Sequence, residues 1–467
     1  MNRFRWSLGL AGAVLLWALG TGHVLAGTLE VKEGESIQEA VNRAQPGDTI
    51  LVYPGTYEES VYIDKDGITL RGVVQDREWP VMEGGRTLND AVLYSGNDIT
   101  VDWLKIMHYK GNAIMGQAGN NFVLRYNWIV DTGVYGIFPQ YGQNGLVAYN
   151  TISGIEDAAI YVGMSDNIDV IGNEVFDSVA GIEIENSRHA LVEANYVHNN
   201  TGGILVFITP GLPIKTTYDV IVRGNFVVDN NTPNFGAPGS IVAGIPAGSG
   251  MVIMAADDVR IEDNIITGNK NAGIIVVDLS FAANVSADPE SEPNPDGIQI
   301  LENFFNDNGA EPVTEVKALM LTSKFTTDGP DVIAAGGAED SDNCILHRER
   351  ILHRGVDEWT ECEATTTREV ASFLLPDGAP PRSTDGESKA RLLYNGICAG
   401  CHGYDVRMVG PATVTIQALY HDDAERLAEY LANPVKRRPD YPEMPPQGHL
   451  SEELRLAVAE YMLNVTR

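Results

Sequence analysis

Residues 125–129 read RYNWI, and the pattern returns as AYNTI at 148–152, IGNEV at 171–175, EANYV at 193–197, RGNFV at 223–227, EDNII at 262–266 and LENFF at 301–305. The central asparagines (Asn127, Asn150, Asn173, Asn195, Asn225, Asn264 and Asn303) stand 23, 23, 22, 30, 39 and 39 residues apart. The shorter spacings fit one coil of a stacked repeat, and the longer ones fit a coil plus an insertion. A second signal runs in phase. Gly136-Ile137, Ala159-Ile160, Gly181-Ile182, Gly203-Ile204, Gly250-Met251 and Gly273-Ile274 each open a short alternating strand. Such strands cannot bury a face alone, but stacked coils can, with aliphatics inward and asparagines hydrogen-bonded in a ladder at the bends. A sandwich would need hairpin turns, and Asn144-Gly145 and Asn395-Gly396 lack alternation on both sides. The pattern predicts a mainly β chain built as a parallel β-helix.

Alternation then sorts the side chains. With Ile137, Ile160, Ile182, Ile204, Met251 and Ile274 inward, Phe138, Tyr161, Glu183, Leu205, Val252 and Ile275 point outward. Two residues on, the outward row is Gln140, Gly163, Glu185, Phe207, Met254 and Val277. The later coils therefore carry an outward apolar stripe, which needs a cover: the insertions, the segment after Gly309 or the C-terminal domain. Insertions at Thr209–Thr217 and Leu279–Asp296 fall at the same phase and would wall a groove. Glu183, Glu185 and Tyr161, with Gln140 and His189 nearby, are the candidate catalytic residues: carboxylates beside an aromatic suit acid/base work on carbohydrate. A solvated strand face accounts for the same glutamates. The stretch DPESEPNPD at 288–296 offers oxygen ligands for calcium, or is a solvated acidic loop.

At the N-terminus, Arg3 and Arg5 precede an apolar run from Leu8 to Leu19 and a Val24-Leu25-Ala26 cleavage site. Residues 1–26 read as a secretory signal peptide, with a retained anchor as the alternative. No later stretch is apolar enough to span a membrane, so the mature chain is expected in the periplasm or secreted. Ser36-Ile37-Gln38-Glu39 is a capping box opening a short helix that would cover the first coil. The run PGDTILVYPGTYEESVYIDKDGITLRG at 46–72 resembles the opening of right-handed parallel β-helix proteins, a class that includes pectate lyases and alginate epimerases.

Net charge is −32, and Glu387–Arg467 holds nine Lys/Arg against eleven Asp/Glu, so the acidity lies on the preceding repeats. That surface argues against nucleic acid as a partner. Of four cysteines, Cys344 and Cys362 are 18 positions apart in an oxidising compartment, paired in a disulfide or separately buried. The other two form Cys398-Ala399-Gly400-Cys401-His402. C-x-x-C-H is the attachment motif for haem c; a redox or zinc C-x-x-C is the alternative.

Residues 386–467 resemble a small class I cytochrome c. Ala390, Leu393 and Ile397 mark a helix into the motif, Val409-Gly410-Pro411 resembles the family's G-P turn, and Tyr441-Pro442-Glu443-Met444-Pro445-Pro446 its distal loop. The resemblance implies one covalent haem c on Cys398 and Cys401, iron between His402 and Met444, and the Pro411 carbonyl on the imidazole. Met408, Met462, His449 and His421 compete with Met444 for the sixth position. Gly329–Cys344 is similar to the C-terminal part of an exported β-helix family of unknown role. The expected organisation is signal peptide 1–26, β-helix 27–309, extension and linker 310–385 (Leu375–Glu387 being Pro/Gly-rich), and an all-α cytochrome c domain 386–467. The leading expectation is a periplasmic electron carrier whose β-helix docks a redox partner, donor or acceptor, or a polymer. A polysaccharide lyase or epimerase with an accessory haem domain is the first alternative, a surface or adhesion scaffold the second.

Overall fold

The computed structural model describes residues 26–238, 240–282, 288–337, 341–363, 366–382 and 386–466. The signal-peptide expectation falls almost wholly on 1–25, outside the described residues. Among the described residues, three parallel sheets of 12, 11 and 10 strands wrap one core, here called sheets I, II and III in that order. Successive strands of the chain visit the sheets in turn, which is the topology of a parallel β-helix. On sheet II the register runs Ile137, Ile160, Ile182, Ile204, Met251, Ile274, all fully buried, as alternation predicted.

The asparagine ladder is continuous. Each Nδ2 donates to the next Oδ1 at 2.9–3.1 Å, from Asn127 through Asn303. Each Oδ1 also accepts the backbone N–H of the preceding asparagine, so the bend's polar groups are paired inside the core. The residue before each ladder asparagine from Asn127 to Asn264 turns the corner in the left-handed region, Tyr126 and Tyr149 at φ 56° and Gly172 at 65°. A second ladder, Asn200 to Asn230 to Asn269 to Asn308, runs five residues further on at 3.0–3.2 Å. It escapes a sequence reading because Ser178 holds its place in the preceding coil.

The glycine opening each sheet II strand has a packing cause. A Cβ on Gly136 would stand 2.7 Å from Ile152 Cγ2 and 2.4 Å from Ala159 O, and one on Gly181 2.5 Å from Val197 Cγ1. Helix α1 (Ile37–Arg43) covers the first coil with Ile37, Ala40 and Val41. Ser36 Oγ caps it by accepting from Glu39 N, and Glu59, not Glu39, is the second acceptor, taking the N–H of Ile37 at 2.7 Å and of Gln38 at 3.1 Å.

Two expected boundaries need correction. The β-helix does not end at 309: helix α2 (Thr314–Ser323) is followed by Val332–Ala335 on sheet II, Cys344–Ile345 on sheet I and His353–Arg354 on sheet II. A disulfide joins Cys344 to Cys362 beside this last coil. Nor is the Pro/Gly-rich segment a free linker. From Thr367 to Arg382 the chain runs back along the outside of the coils as a strap. Its backbone is received in turn by Glu262, Asp169, Asn144, Asn121 and Asn97, at 2.7–3.0 Å. With few hydrogen bonds of its own, such as Val370 N to Thr367 O and Gly378 N to Leu375 O, the strap must find other partners, and these polar side chains at coil corners supply them.

The strap delivers residues 386–464 to the N-terminal half of sheet II. There α3 (Gly386–Leu393), a π-helical turn at Tyr394–Cys398, α4 (Thr413–Leu419), α5 (Ala424–Ala432) and α6 (Glu452–Asn464) form a small all-α domain. Its own core includes Leu393, Ile416, Leu427, Leu431, Val458 and Met462. It docks through buried Lys389, whose Nζ donates to Ser95 O at 2.9 Å, and through His449, whose Nε2 lies 3.2 Å from Gln117 Oε1.

Candidate functional site

Two neighbouring cavities gather the predicted residues. The first lies inside the helical domain, about 250 Å³ in volume, and both His402 and Met444 line it. The π-helical turn ends at Cys398, and His402 N donates back to Cys398 O at 2.9 Å, so the thiols and imidazole share one turn. Cys398 and Cys401 carry free thiols, and burial pushes them up to about 12 and about 11. His402 Nδ1 lies 2.8 Å from Pro411 O. A carbonyl only accepts, so Nδ1 carries the proton and Nε2 keeps its lone pair. Burial also lowers the imidazole pKa, which keeps the ring neutral. Gly410 lies against the ring: a Cβ there would meet Cε1 at 2.4 Å.

The competing ligands fall elsewhere, with one exception. Met408 lines the other cavity, His449 packs edge-on against Tyr62, and His421 is exposed beside Asp422. Met462, on α6, lines the same cavity as Met444.

The second cavity, about 140 Å³, lies between sheet II and the helical domain and brings together Tyr161, Glu183 and Glu185 with Tyr135 and Asp157. A solvated strand face is not what the glutamates occupy: Glu183 is 1% and Glu185 4% exposed. Gly400 and Arg407–Val409 cover them from the helical domain, and Ser240–Val242 from an insertion. Burial raises all three carboxyls, Asp157 to about 8, Glu185 to about 7, and Glu183 well above its usual range. Glu185 adds to the rise at Asp157, and Asp157 to that at Glu183. Tyr135 stacks on Tyr161 with centroids 4.6 Å apart. Gln140 is buried beside Gly400, but His189 is not part of the cluster; it sits on sheet I, 2.7 Å from Asp219.

Asp157 and Tyr135 were not legible as site residues. Alternation breaks where Gly136 and Ile137 both face the core, which sends Tyr135 outward, and Asp157 precedes its strand. The acidic stretch 288–296 divides. Asp288 pairs with Lys215 at 2.5 Å, while Glu292 and Asp296 converge with Asp257, their oxygens within 4.8 Å of one another. The calcium expectation rests on those three carboxylates.

Fold and site define a class: a parallel β-helix protein with a helical domain, bearing a C-x-x-C-H cluster, strapped onto its second sheet. Residues 41–242, less than half of the chain, match the family described as "Periplasmic copper-binding protein (NosD)". The SHC SH2 domain-binding protein 1 homolog A of Xenopus laevis is 22% identical over 212 residues, 44% of this chain and 30% of that relative's length. Among solved structures, the mannuronan C-5 epimerase AlgE6 A-module of Azotobacter vinelandii is 12% identical, covering 73% of this chain and 87% of that one, with a TM-score of 0.48. An alginate lyase from Paenibacillus sp. str. FPU-7 is 13% identical, with 62% and 99% covered and a TM-score of 0.42. Residues 386–467 lie outside the family match. Among the described residues no helix is long and apolar enough to cross a membrane.

Proposed function

We propose that residues 386–467 hold one covalent haem c, and that the protein is an exported electron carrier, periplasmic or secreted. The observation that carries this reading is the His402–Pro411 hydrogen bond at a cavity that Met444 also lines. The residues present fit the group. Two free thiols three positions apart suit thioether attachment, Nε2 of His402 is a ready nitrogen donor, and Met444 offers a thioether. A haem held by Cys398, Cys401, His402 and Met444 would supply one-electron exchange. The chain's own part is to fix the imidazole tautomer through Pro411, exclude water with Ile416, Leu427 and Leu431, and present a surface to a partner. Lys436, Arg437 and Arg438 line the same cavity, a basic rim on a chain of net charge −32. It suits a redox protein that presents carboxylates.

The test is expression with export and haem-attachment machinery, followed by denaturing electrophoresis and the reduced spectrum. Covalent haem lost in Cys398→Ser and Cys401→Ser, with an altered spectrum in Met444→Ala, supports the reading. No covalent haem in the native chain sinks it.

The second reading, a polysaccharide lyase or epimerase, is favoured by the convergence of Asp157, Glu183 and Glu185 on two tyrosines. Carboxyls raised towards neutrality by burial are suited to proton transfer at sugar carbons. Of the similar structures, one is named a mannuronan C-5 epimerase and another an alginate lyase. A polymer would reach the cluster only with the cover at Gly400 and Arg407–Val409 lifted. Unsaturated products released from alginate by the native chain, and not by Glu183→Gln, would establish it.

A further inference from the structure

The apolar stripe of sheet II is roofed into a chamber, larger than either cavity above, of about 550 Å³. Its floor is the two outward rows Leu205, Val252, Ile275 and Phe207, Met254, Val277, in register across three strands. Ile241, Val242 and Ile245 cover one side, and Val316 and Leu319 of α2 the other. Of the three covers expected, the segment after Gly309 supplies α2 and the 279–296 insertion supplies Phe281 and Ala282; the crossing segment at 241–246, which enters from sheet III, was not expected.

A chamber of this size could pack shut if the protein needed only to hide its stripe; apolar pockets of a few hundred Å³ with a few placed polar groups are ligand sites. The chamber's own polar lining is Asn271 and Glu315; Phe207, Ile241 and Val242 also line the carboxylate cavity, so that cavity's polar groups adjoin one end of the chamber. In that cavity Glu183 Oε1 and Asp157 Oδ1 are buried acceptors with no hydrogen-bond partner among the described residues. Arg407, the cation lining the carboxylate cavity, lies 3.3 Å from Asp440 of its own domain.

We infer that the chamber binds an apolar small molecule with a hydroxylated head, its body on the Leu205–Val277 floor and its hydroxyls donating to Glu183 and Asp157. Burial raises both carboxyls, Asp157 to about 8 and Glu183 well above its usual range, so the head they suit is a neutral hydrogen-bond donor and not an obligatory cation. The roof limits the guest to a single small molecule, since an extended polymer would collide with 241–246 and α2. The inference does not depend on bound haem or on polysaccharide chemistry, and its failure leaves the tests of both untouched.

Isothermal titration calorimetry of the full chain with 4-hexylresorcinol, and with its dimethyl ether, decides the matter. Saturable one-site binding is expected for the diol, weaker by about tenfold or more for the ether, because a site built for hydroxyl donors is left unpaired by the ether. Val252→Trp, which fills the floor, should abolish binding. Glu183→Leu should bring the diol down to the affinity of the ether. Ile275→Trp serves as an independent floor variant should Val252→Trp fail to give a native melting curve. Absence of saturable binding overturns the inference, and so does equal binding of diol and ether.

Discussion

Glu185 sits 4% exposed beneath a loop of another domain, and burial pushes its carboxyl from 4.5 up to about 7. Asp157 rises from 3.8 to about 8, by burial first and by Glu185 second. These groups hold protons more tightly folded than unfolded. Their stabilising contribution is therefore complete below about pH 4 and is lost as the pH rises towards 8. We expect Glu185→Gln to raise the melting temperature at pH 8 and leave it unchanged at pH 4, with a gain of roughly 1–3 kcal/mol at the higher pH. An equal effect at both pH values would show the change to be one of packing alone. At the other cavity, Pro411 offers a carbonyl and Gly410 the space for the imidazole. Gly410→Ala should displace the His402 ring, seen as a changed His402 signal by NMR or, with haem attached, as a shifted reduction potential.

At the scale of elements, the ladder asparagines set the pitch of the coils. Asn173 Nδ2 donates to Asn195 Oδ1 at 3.0 Å and to Val147 O at 3.0 Å, and its Oδ1 accepts from Asn150. Asn173→Ala leaves several buried groups unpaired and should cost about 1–3 kcal/mol for each. Asn303, which is only partly buried and ends the ladder, should cost less when replaced, as denaturant titration would show. The ladder was readable because a stacked coil repeats its bend, so one buried amide must recur at one spacing. The strap was not readable. LPDGAPPRSTDGE at 375–387 has a linker's composition, and its partners lie more than 200 residues away in the chain, as Leu375 and Asn144 show. Replacing Asn97 and Asn121 together should free the strap, raising amide exchange across 373–382 while exchange in the central coils is unchanged. The Cys344–Cys362 bridge spans 18 residues beside the last coil, and its removal should cost about 3 kcal/mol by the chain-entropy argument.

Across the whole molecule, the strap and the docked domain turn an open sheet into a roofed one. Lys389 illustrates the coupling: it is buried, its pKa lowered by that burial, and it donates to Ser95 O on sheet II. Lys389→Ala leaves that carbonyl unpaired and should loosen the helical domain, measurable as faster proteolysis between the domains with the β-helix melt unchanged. Were the domain lifted, Glu183 and Glu185 would keep only Ser240–Val242 as cover and their raised pKa values would fall towards ordinary ones. That shift, followed by carboxyl titration in a chain truncated after Arg382, tests whether the cover is the cause.

The amino-acid sequence determined the parallel β-helix, its inward and outward rows, the capped first helix and the clustering of Cys398, Cys401 and His402. Each depends on near neighbours or on a repeat, and periodicity makes long-range pairing local in pattern. Only the tertiary structure decided that the glutamates are buried, that the stripe becomes a chamber and that the strap carries the helical domain back over sheet II. Those features come from single contacts between segments with no shared period, such as Gly400 against Gln140 or Arg382 on Asn97. Burial, which sets the chemistry of a carboxyl, is a property of the partner that covers it and not of the residue itself.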